Sequence, residues 1–282
     1  MDNHTHRNYS HLGLYAAIAV STIVSLIGSY IMVQQPQIDQ VGGRVNYKLY
    51  KEMVNNPKYA ENVKQSLESQ AKVLDGEQPA APTDNQPAAE PKATGALTQD
   101  EIASIKTDTY IVGDKSANIL WVEYSDLECP FCKRQHDSGA IKNLMTKYDG
   151  KLATVLKHYP LPFHPLAKPG ALTAECIGEI GGGNKFNQFI DQVFTKGTPT
   201  TAIMEEVIKA LGVDAKKIKA CVDSAKYASK IDAHASEGQT KFGVNGTPGN
   251  VFINTKTGKY EVVSGAQPEA NFDAAIARLL AE

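Results

Sequence analysis

Residues 118–132 read Asn118-Ile119-Leu120-Trp121-Val122-Glu123-Tyr124-Ser125-Asp126-Leu127-Glu128-Cys129-Pro130-Phe131-Cys132. Asn118 to Tyr124 is nearly continuous in apolar residues, the pattern of a strand covered on both faces. Ser125 to Glu128 supply a strand-to-helix turn, and a helical run follows through Met145 and Tyr148. A Cys-x-x-Cys where a helix begins sets its first sulfur beside unsatisfied amides and the positive end of the helix dipole, which favour a thiolate over a thiol. Cys132 lies one turn on and can attack a mixed disulfide formed at Cys129, so this motif can pass two electrons to or from a partner. Pro130 prearranges the helix start, while Phe131 supplies no charge to the thiolate.

The competing readings of the motif are half of a zinc site and an inert structural bridge. A zinc site would need a second Cys-x-x-Cys or paired histidines at ligand spacing. The other cysteines, Cys176 and Cys221, are 45 positions apart, and His4, His6 and His11 have no cysteine or carboxylate at metal spacing. No metal is expected. Cys176 and Cys221 are either bridged, stabilising the region between them by about 2 to 4 kcal/mol, or two buried free thiols.

The surrounding 282 residues, 42% of them apolar, suffice for about two domains and at least one core. Twenty-nine basic against 31 acidic side chains leave a net charge of −2, so there is no whole-chain attraction to nucleic acid or anionic lipid. Thr98 and Glu101 fit a capping box before a short helix. Thr109 to Val112 and residues 152–159 read as strands, and Asn250 to Asn254 with Tyr260 to Val263 as a hairpin around Thr257-Gly258. Helices are predicted for Leu166 to Ile180, Lys185 to Thr195, Thr201 to Leu211, Ala215 to Gly238 and Gln267 to Leu280. Asp126 and Glu128 read as turn residues, His164 as a polar turn residue between Pro162 and Pro165, and Lys133 and Arg134 as solvated.

Upstream, residues 1–11 form a tail, and Leu12 to Val33 run without one charged side chain. Those 22 residues would make a helix about 33 Å long, enough to cross a bilayer core, with Tyr15 and Tyr30 near its ends. The stretch is too long for the apolar region of a cleaved secretory signal and lacks a small-x-small site, so an uncleaved anchor is predicted. Residues 34–74 read as a juxtamembrane helical stalk, with a self-association segment as an alternative, and the proline-bearing residues 75–96 as a linker. Arg44, Lys48 and Lys51 after the span argue for a cytoplasmic position of the stalk and the domain beyond it, whereas a reactive dithiol beside a second cysteine pair suits an oxidising compartment.

The runs Val112 to Ala117 and Val122 to Cys132, together with Tyr159-Pro160-Leu161, His164, Lys185-Phe186 and Phe242-Gly243-Val244-Asn245-Gly246-Thr247-Pro248, resemble the DsbA-like disulfide oxidoreductases, a branch of the thioredoxin superfamily. The resemblance covers most of residues 97–282. It implies an α/β, thioredoxin-like fold with a helical domain inserted at about 164–240. It also implies catalytic roles for Cys129 as nucleophile and Cys132 as resolving thiol, and a cis Pro248 facing the dithiol. Thr247, Pro248, Pro130 and Phe131 would then line the substrate site, with the backbone of Thr247 pairing an extended chain. Glu123, six residues before Cys129, matches an acidic position beneath the family's active site; a buried carboxyl there can relay a proton from Cys132, and the alternative is a solvent-facing edge glutamate. Gly249-Asn250 departs from the larger strand-forming pair of relatives, so a looser groove edge is expected. No cofactor is implied. The implied activity is membrane-tethered, extracytoplasmic oxidation of cysteine pairs in exported proteins by an oxidant milder than the family's strongest, recharged by a membrane quinone-linked reoxidase. A reductase or isomerase, or a redox-inactive peptide-binding module, are the alternatives.

Overall fold

The structure is a computed structural model describing residues 94–282 apart from residue 198. The expected tail, the Leu12 to Val33 anchor, the stalk and nearly all of the linker lie outside the described residues. No helix among the described residues is long and apolar enough to cross a membrane.

The chain runs β1 (Thr94–Ala96), α1 (Gln99–Thr107), β2 (Val112–Gly113), β3 (Ile119–Ser125), α2 (Pro130–Asp137), α3 (Ala140–Lys147), β4 (Leu152–His158), α4 (Ala167–Gly181), α5 (Gly183–Lys196), α6 (Thr201–Leu211), α7 (Ala215–Asp223), α8 (Ala228–Phe242), β5 (Gly249–Asn254), β6 (Lys259–Ser264) and α9 (Glu269–Leu280). The described strands form one sheet in the order β1-β6-β5-β3-β4-β2, with β3 parallel to β4 and antiparallel to β5. All seven residues of β3 are buried, as its unbroken apolar run requires.

Side-chain alternation along β3 separates two cores. Ile119 and Trp121 face α3 and α9, with Leu144, Phe252 and Phe272 around them. Leu120, Val122 and Tyr124 face the other way, onto Ile102 and Ile105 of α1 and Phe242 of α8. Glu123 falls on the Trp121 side by the same parity. A third core, within the inserted helices α4 to α7, includes Phe186, Phe189 and Val207, and reaches Cys129 and Cys132. The sheet and the insertion therefore meet at the dithiol.

Several expectations are corrected. The end of the linker is not free: Thr94–Ala96 pairs antiparallel with β6, and Gly95 permits it, because a Cβ there would lie 2.7 Å from the Tyr260 ring. The strand expected at Thr109 to Val112 shrinks to Val112–Gly113, since the Thr109 hydroxyl donates to Ile105 O at the end of α1 and the Tyr110 ring packs 4.5 Å from that of Phe186. The helical run after Cys129 breaks at Gly139, whose φ of 71° is left-handed. The helix expected from Ala215 to Gly238 divides into α7 and α8; Ala225 N–H donates to Val222 O, and Ala225 itself turns at φ 51°. The capping box is present, with Thr98 N–H donating to Glu101 Oε2 at 2.8 Å and Glu101 N–H to Thr98 Oγ1 at 3.3 Å.

Candidate active site

Cys129 is the N-cap of α2, extended at φ −74° and ψ 122°, and Pro130 opens the helix where a missing N–H costs nothing. Both sulfurs are thiols, and both residues are buried. The Thr247–Pro248 bond is cis and brings Thr247 O to 3.5 Å from Cys129 Sγ.

The two thiols are pushed apart in acidity. A hydrogen bond from the Cys132 thiol holds Cys129 down at about 6; burial opposes it, and contacts from Thr247 and from the Phe131 and Cys132 amides assist it. The amides are the helix-start effect expected from the motif's position. Burial pushes Cys132 well above the ordinary thiol range, with the charges of Cys129 and Glu123 adding to it. One sulfur is thus an anion at neutral pH and its neighbour keeps its proton, the division of labour that nucleophilic attack and later resolution need.

Glu123 lies beneath them and is not a solvent-facing edge residue. Burial raises its carboxyl, the neighbouring Ser125 hydroxyl and Gln135 amide and the charge of His136 oppose that, and the Cys129 anion adds to it. A carboxyl raised in this way holds its proton to higher pH than an exposed one and can relay it to a neighbouring thiolate.

The groove edge is not loose, contrary to expectation. Asn250, opposite Glu123 in the β3–β5 pairing, is fully buried and all its amide groups are used. Its Oδ1 accepts from Trp121 Nε1 and Gln135 Nε2, both at 2.9 Å, while its Nδ2 donates to Gln135 Oε1 and Gly265 O, both at 3.1 Å. Leaving the Trp121 N–H unpaired here would cost about 1 to 3 kcal/mol. Gly249 is required by packing, since a Cβ would stand 2.6 Å from Val244 Cγ1.

Asp126 does more than form a turn. Its N–H points at Cys132 Sγ, 3.4 Å away, and its carboxylate accepts from Glu128 N–H, Leu161 N–H and His164 Nδ1 at 2.8, 2.8 and 2.7 Å. Glu128 Oε2 accepts from Leu166 N–H at 2.7 Å. These two carboxylates pin the dithiol turn to the entry of the insertion, and His164 belongs to that tie. Arg134 stays exposed but stacks on Phe131, its guanidinium carbon 4.9 Å from the ring centroid, and Phe131 itself is 52% exposed. Pro130 and Phe131 follow Cys129 into α2, and the Thr247–Pro248 bond meets it from the start of β5.

Gln135, Asn250, His136 and the Asp126–His164 pair were not singled out from the sequence as site residues. Gln135 carried a signal, three positions after Cys132 and so on its helix face, but Asn250 and His164 meet their partners only through tertiary folding.

Cys176 and Cys221 are joined, with Cα atoms 5.9 Å apart, and the bridge ties α4 to α7. Among the described residues no group of three or more His, Cys, Asp or Glu side chains is placed to hold a metal.

Comparison with known proteins places these features in context. A family described as thioredoxin matches residues 105–277. A putative protein-disulfide oxidoreductase of Rickettsia felis is 28% identical over 165 residues, covering 55% of this chain and 56% of that one. A Na(+)/H(+) antiporter, NhaA 1, of a Mycobacterium species is 29% identical over 154 residues, 53% of this chain and 24% of the antiporter. The chain thus spans about a quarter of the antiporter's length. Among solved structures, oxidised BdbD of Bacillus subtilis superposes with a TM-score of 0.55 at 18% identity, covering 69% of this chain and 100% of BdbD. That likeness bears on the fold, α/β with an inserted helical domain.

Proposed function

The chain belongs to the thioredoxin family, and from that premise we propose that it is a thiol–disulfide oxidoreductase that oxidises cysteine pairs in exported proteins from a membrane-tethered, extracytoplasmic position. The observation that carries the reading is the opposed acidity of Cys129 and Cys132 above a buried Glu123. The name of the Rickettsia felis relative, a putative protein-disulfide oxidoreductase, supports it. The Cys176–Cys221 bridge and the uncharged run from Leu12 to Val33 favour the location, since such bridges persist in oxidising compartments.

In the oxidising direction the chain carries a Cys129–Cys132 disulfide. A substrate thiolate attacks Cys129 Sγ, and Cys132 leaves and is protonated. The second substrate thiolate then attacks the substrate sulfur of the mixed disulfide and expels Cys129, which departs readily because its thiolate is stabilised. The substrate loses two electrons and the chain gains them. A membrane quinone-linked reoxidase would restore the disulfide.

The Cys129 value of about 6 falls between those of thioredoxin, about 7, and DsbA, about 3.5, and Phe131 adds no charge that would lower it further. The reduction potential is accordingly expected between about −270 and about −120 mV. Equilibration of the Cys129/Cys132 couple against glutathione tests this: a value above about −200 mV supports a disulfide donor, and one near −270 mV a reductase.

A further inference from the structure

Behind the dithiol, α2, α3 and α5 enclose with the sheet a cleft of about 1170 Å³, lined among others by Trp121, Glu123, His136, Lys142, Asp149 and Asp191. Neither cysteine lines it, nor do Thr247 and Pro248. A polypeptide covering the dithiol mouth would therefore leave the cleft open. His136 follows Cys132 by one helical turn, and its imidazole stacks on Phe194 with ring centroids 5.3 Å apart. Its Nε2 lies 2.7 Å from Asp191 Oδ1, while its Nδ1 is buried without a hydrogen-bond partner. Asp137 Oδ1 stands 3.7 Å from that nitrogen, beyond hydrogen-bond reach.

We propose that His136, held by Asp191 in the wall of this cleft, is the positioning residue through which Glu123 exchanges its proton with solvent while substrate covers the dithiol. The proposal rests on the oxidoreductase reading. In the oxidising direction the substrate thiolate forms its bond to Cys129 Sγ, the Cys129–Cys132 bond breaks, and the electron pair goes to Cys132 Sγ. Cys132 takes the proton of the Glu123 carboxyl. The Glu123 carboxylate regains a proton from the His136 imidazolium through solvent in the cleft, and His136 recovers one from bulk water. The oxidant is the Cys129–Cys132 disulfide itself, so no further co-reactant is needed.

The charged surroundings favour this direction of transfer. Cys129 at the N-cap of α2, and Cys132 and His136 within it, act on Glu123, with the neutral Asn250 across from it on β5 and Leu156 on β4. His136 faces Asp191 on α5 and its own neighbour Asp137, whose Oδ1 is 3.7 Å from Nδ1; Lys142 of α3 acts on Asp191. The Asp191 hydrogen bond raises His136 above the ordinary histidine range, so it is charged, and able to donate, up to and beyond its usual midpoint.

The test is single-turnover oxidation of a dithiol peptide by the full-length, oxidised chain across about pH 6 to 9, with His136→Gln and Asp191→Asn variants. General acid–base assistance is worth about 100-fold or more when direct, and a relay acting through Glu123 should show about a tenfold loss in His136→Gln on the acid side of the range, where the wild-type imidazole is charged, shrinking as pH rises. Added imidazole should restore much of that rate, and the alkylation midpoint of Cys129 in the reduced chain should not move. Asp191→Asn should shift the falling limb of the pH profile to lower pH; its side chain is 74% exposed, so it serves if His136→Gln does not fold. An unaltered pH profile in a folded variant, or a loss that imidazole does not restore, overturns the inference and leaves the oxidoreductase reading intact. A wild-type chain inert toward the peptide overturns both.

Discussion

Cys176 and Cys221 stand 45 positions apart on α4 and α7 and are joined, whereas Cys129 and Cys132 share one helical turn and are both thiols. All four pack against the same helical core, so apolar contact does not tell the pairs apart. Polar surroundings do. Cys129 has two backbone amides, a neighbouring thiol and Thr247 to stabilise its anion, and Cys132 has Glu123 beneath it. Beside Cys221 the Glu179 carboxylate stands 3.8 Å from a bridged sulfur that has no hydrogen to give, and its charge would oppose rather than assist a thiolate. Reactivity here follows from donors and charges within a few ångströms of sulfur.

The sharpest way to break the contrast is Cys132→Ser, which removes the resolving thiol and should abolish turnover while accumulating a mixed disulfide between Cys129 and a substrate peptide, read by non-reducing gel and mass spectrometry. Cys176→Ala with Cys221→Ala should leave that chemistry in place. Its effect would be on stability, a loss of about 2 to 4 kcal/mol in denaturant unfolding. Full loss of exchange in this double variant would show that the two pairs are not independent.

Glu123→Gln sharpens the comparison further and acts in opposite senses on rate and stability. Loss of the proton relay should slow exchange about 10- to 100-fold. The Glu123 carboxyl is raised in the folded chain, so the native state holds a proton that the unfolded state releases near the ordinary value of 4.5. Stability therefore falls as pH rises from that point through the folded value, and Glu123→Gln should flatten this decline. Thermal unfolding of both chains at about pH 5 and 8 checks the sign. Thr247→Val should have the smallest effect, a slight rise of the Cys129 value at most, because the Thr247 O beside Sγ is kept and the Thr247 hydroxyl makes no hydrogen bond; the pH dependence of thiolate absorbance reads it.

Strand β3, the dithiol helix start and α6 were legible in the sequence because their signals are local. β3 is an unbroken apolar run, and α6 begins after Thr200, whose side chain accepts from Ile203 N–H, and ends at Gly212 in the left-handed region. β1 was not legible, because in Thr94-Gly95-Ala96 only Thr94 favours a strand and the segment is ordered by pairing with β6. The break between α7 and α8 depends on one alanine in an unfavourable conformation, which composition does not announce. The polar layer under the site was hidden for a different reason. Gln135 meets Asn250 across 115 positions and His164 meets Asp126 across 38, so neither pairing leaves a periodic trace. Asn250, read as a weakness in the groove edge, is instead what satisfies Trp121.

The most direct measurement is the rate of Cys129 alkylation by iodoacetamide as a function of pH in the reduced chain, with Cys132→Ala as a control for the contribution of its thiol. A single midpoint near 6 is predicted for the wild type, moving upward in Cys132→Ala, which deletes the donor that Cys132→Ser would replace with a hydroxyl, because the thiol hydrogen bond is the largest stabilising contribution. A midpoint near the ordinary thiol value of 9.0 in the wild type would contradict a thiolate poised at the start of α2.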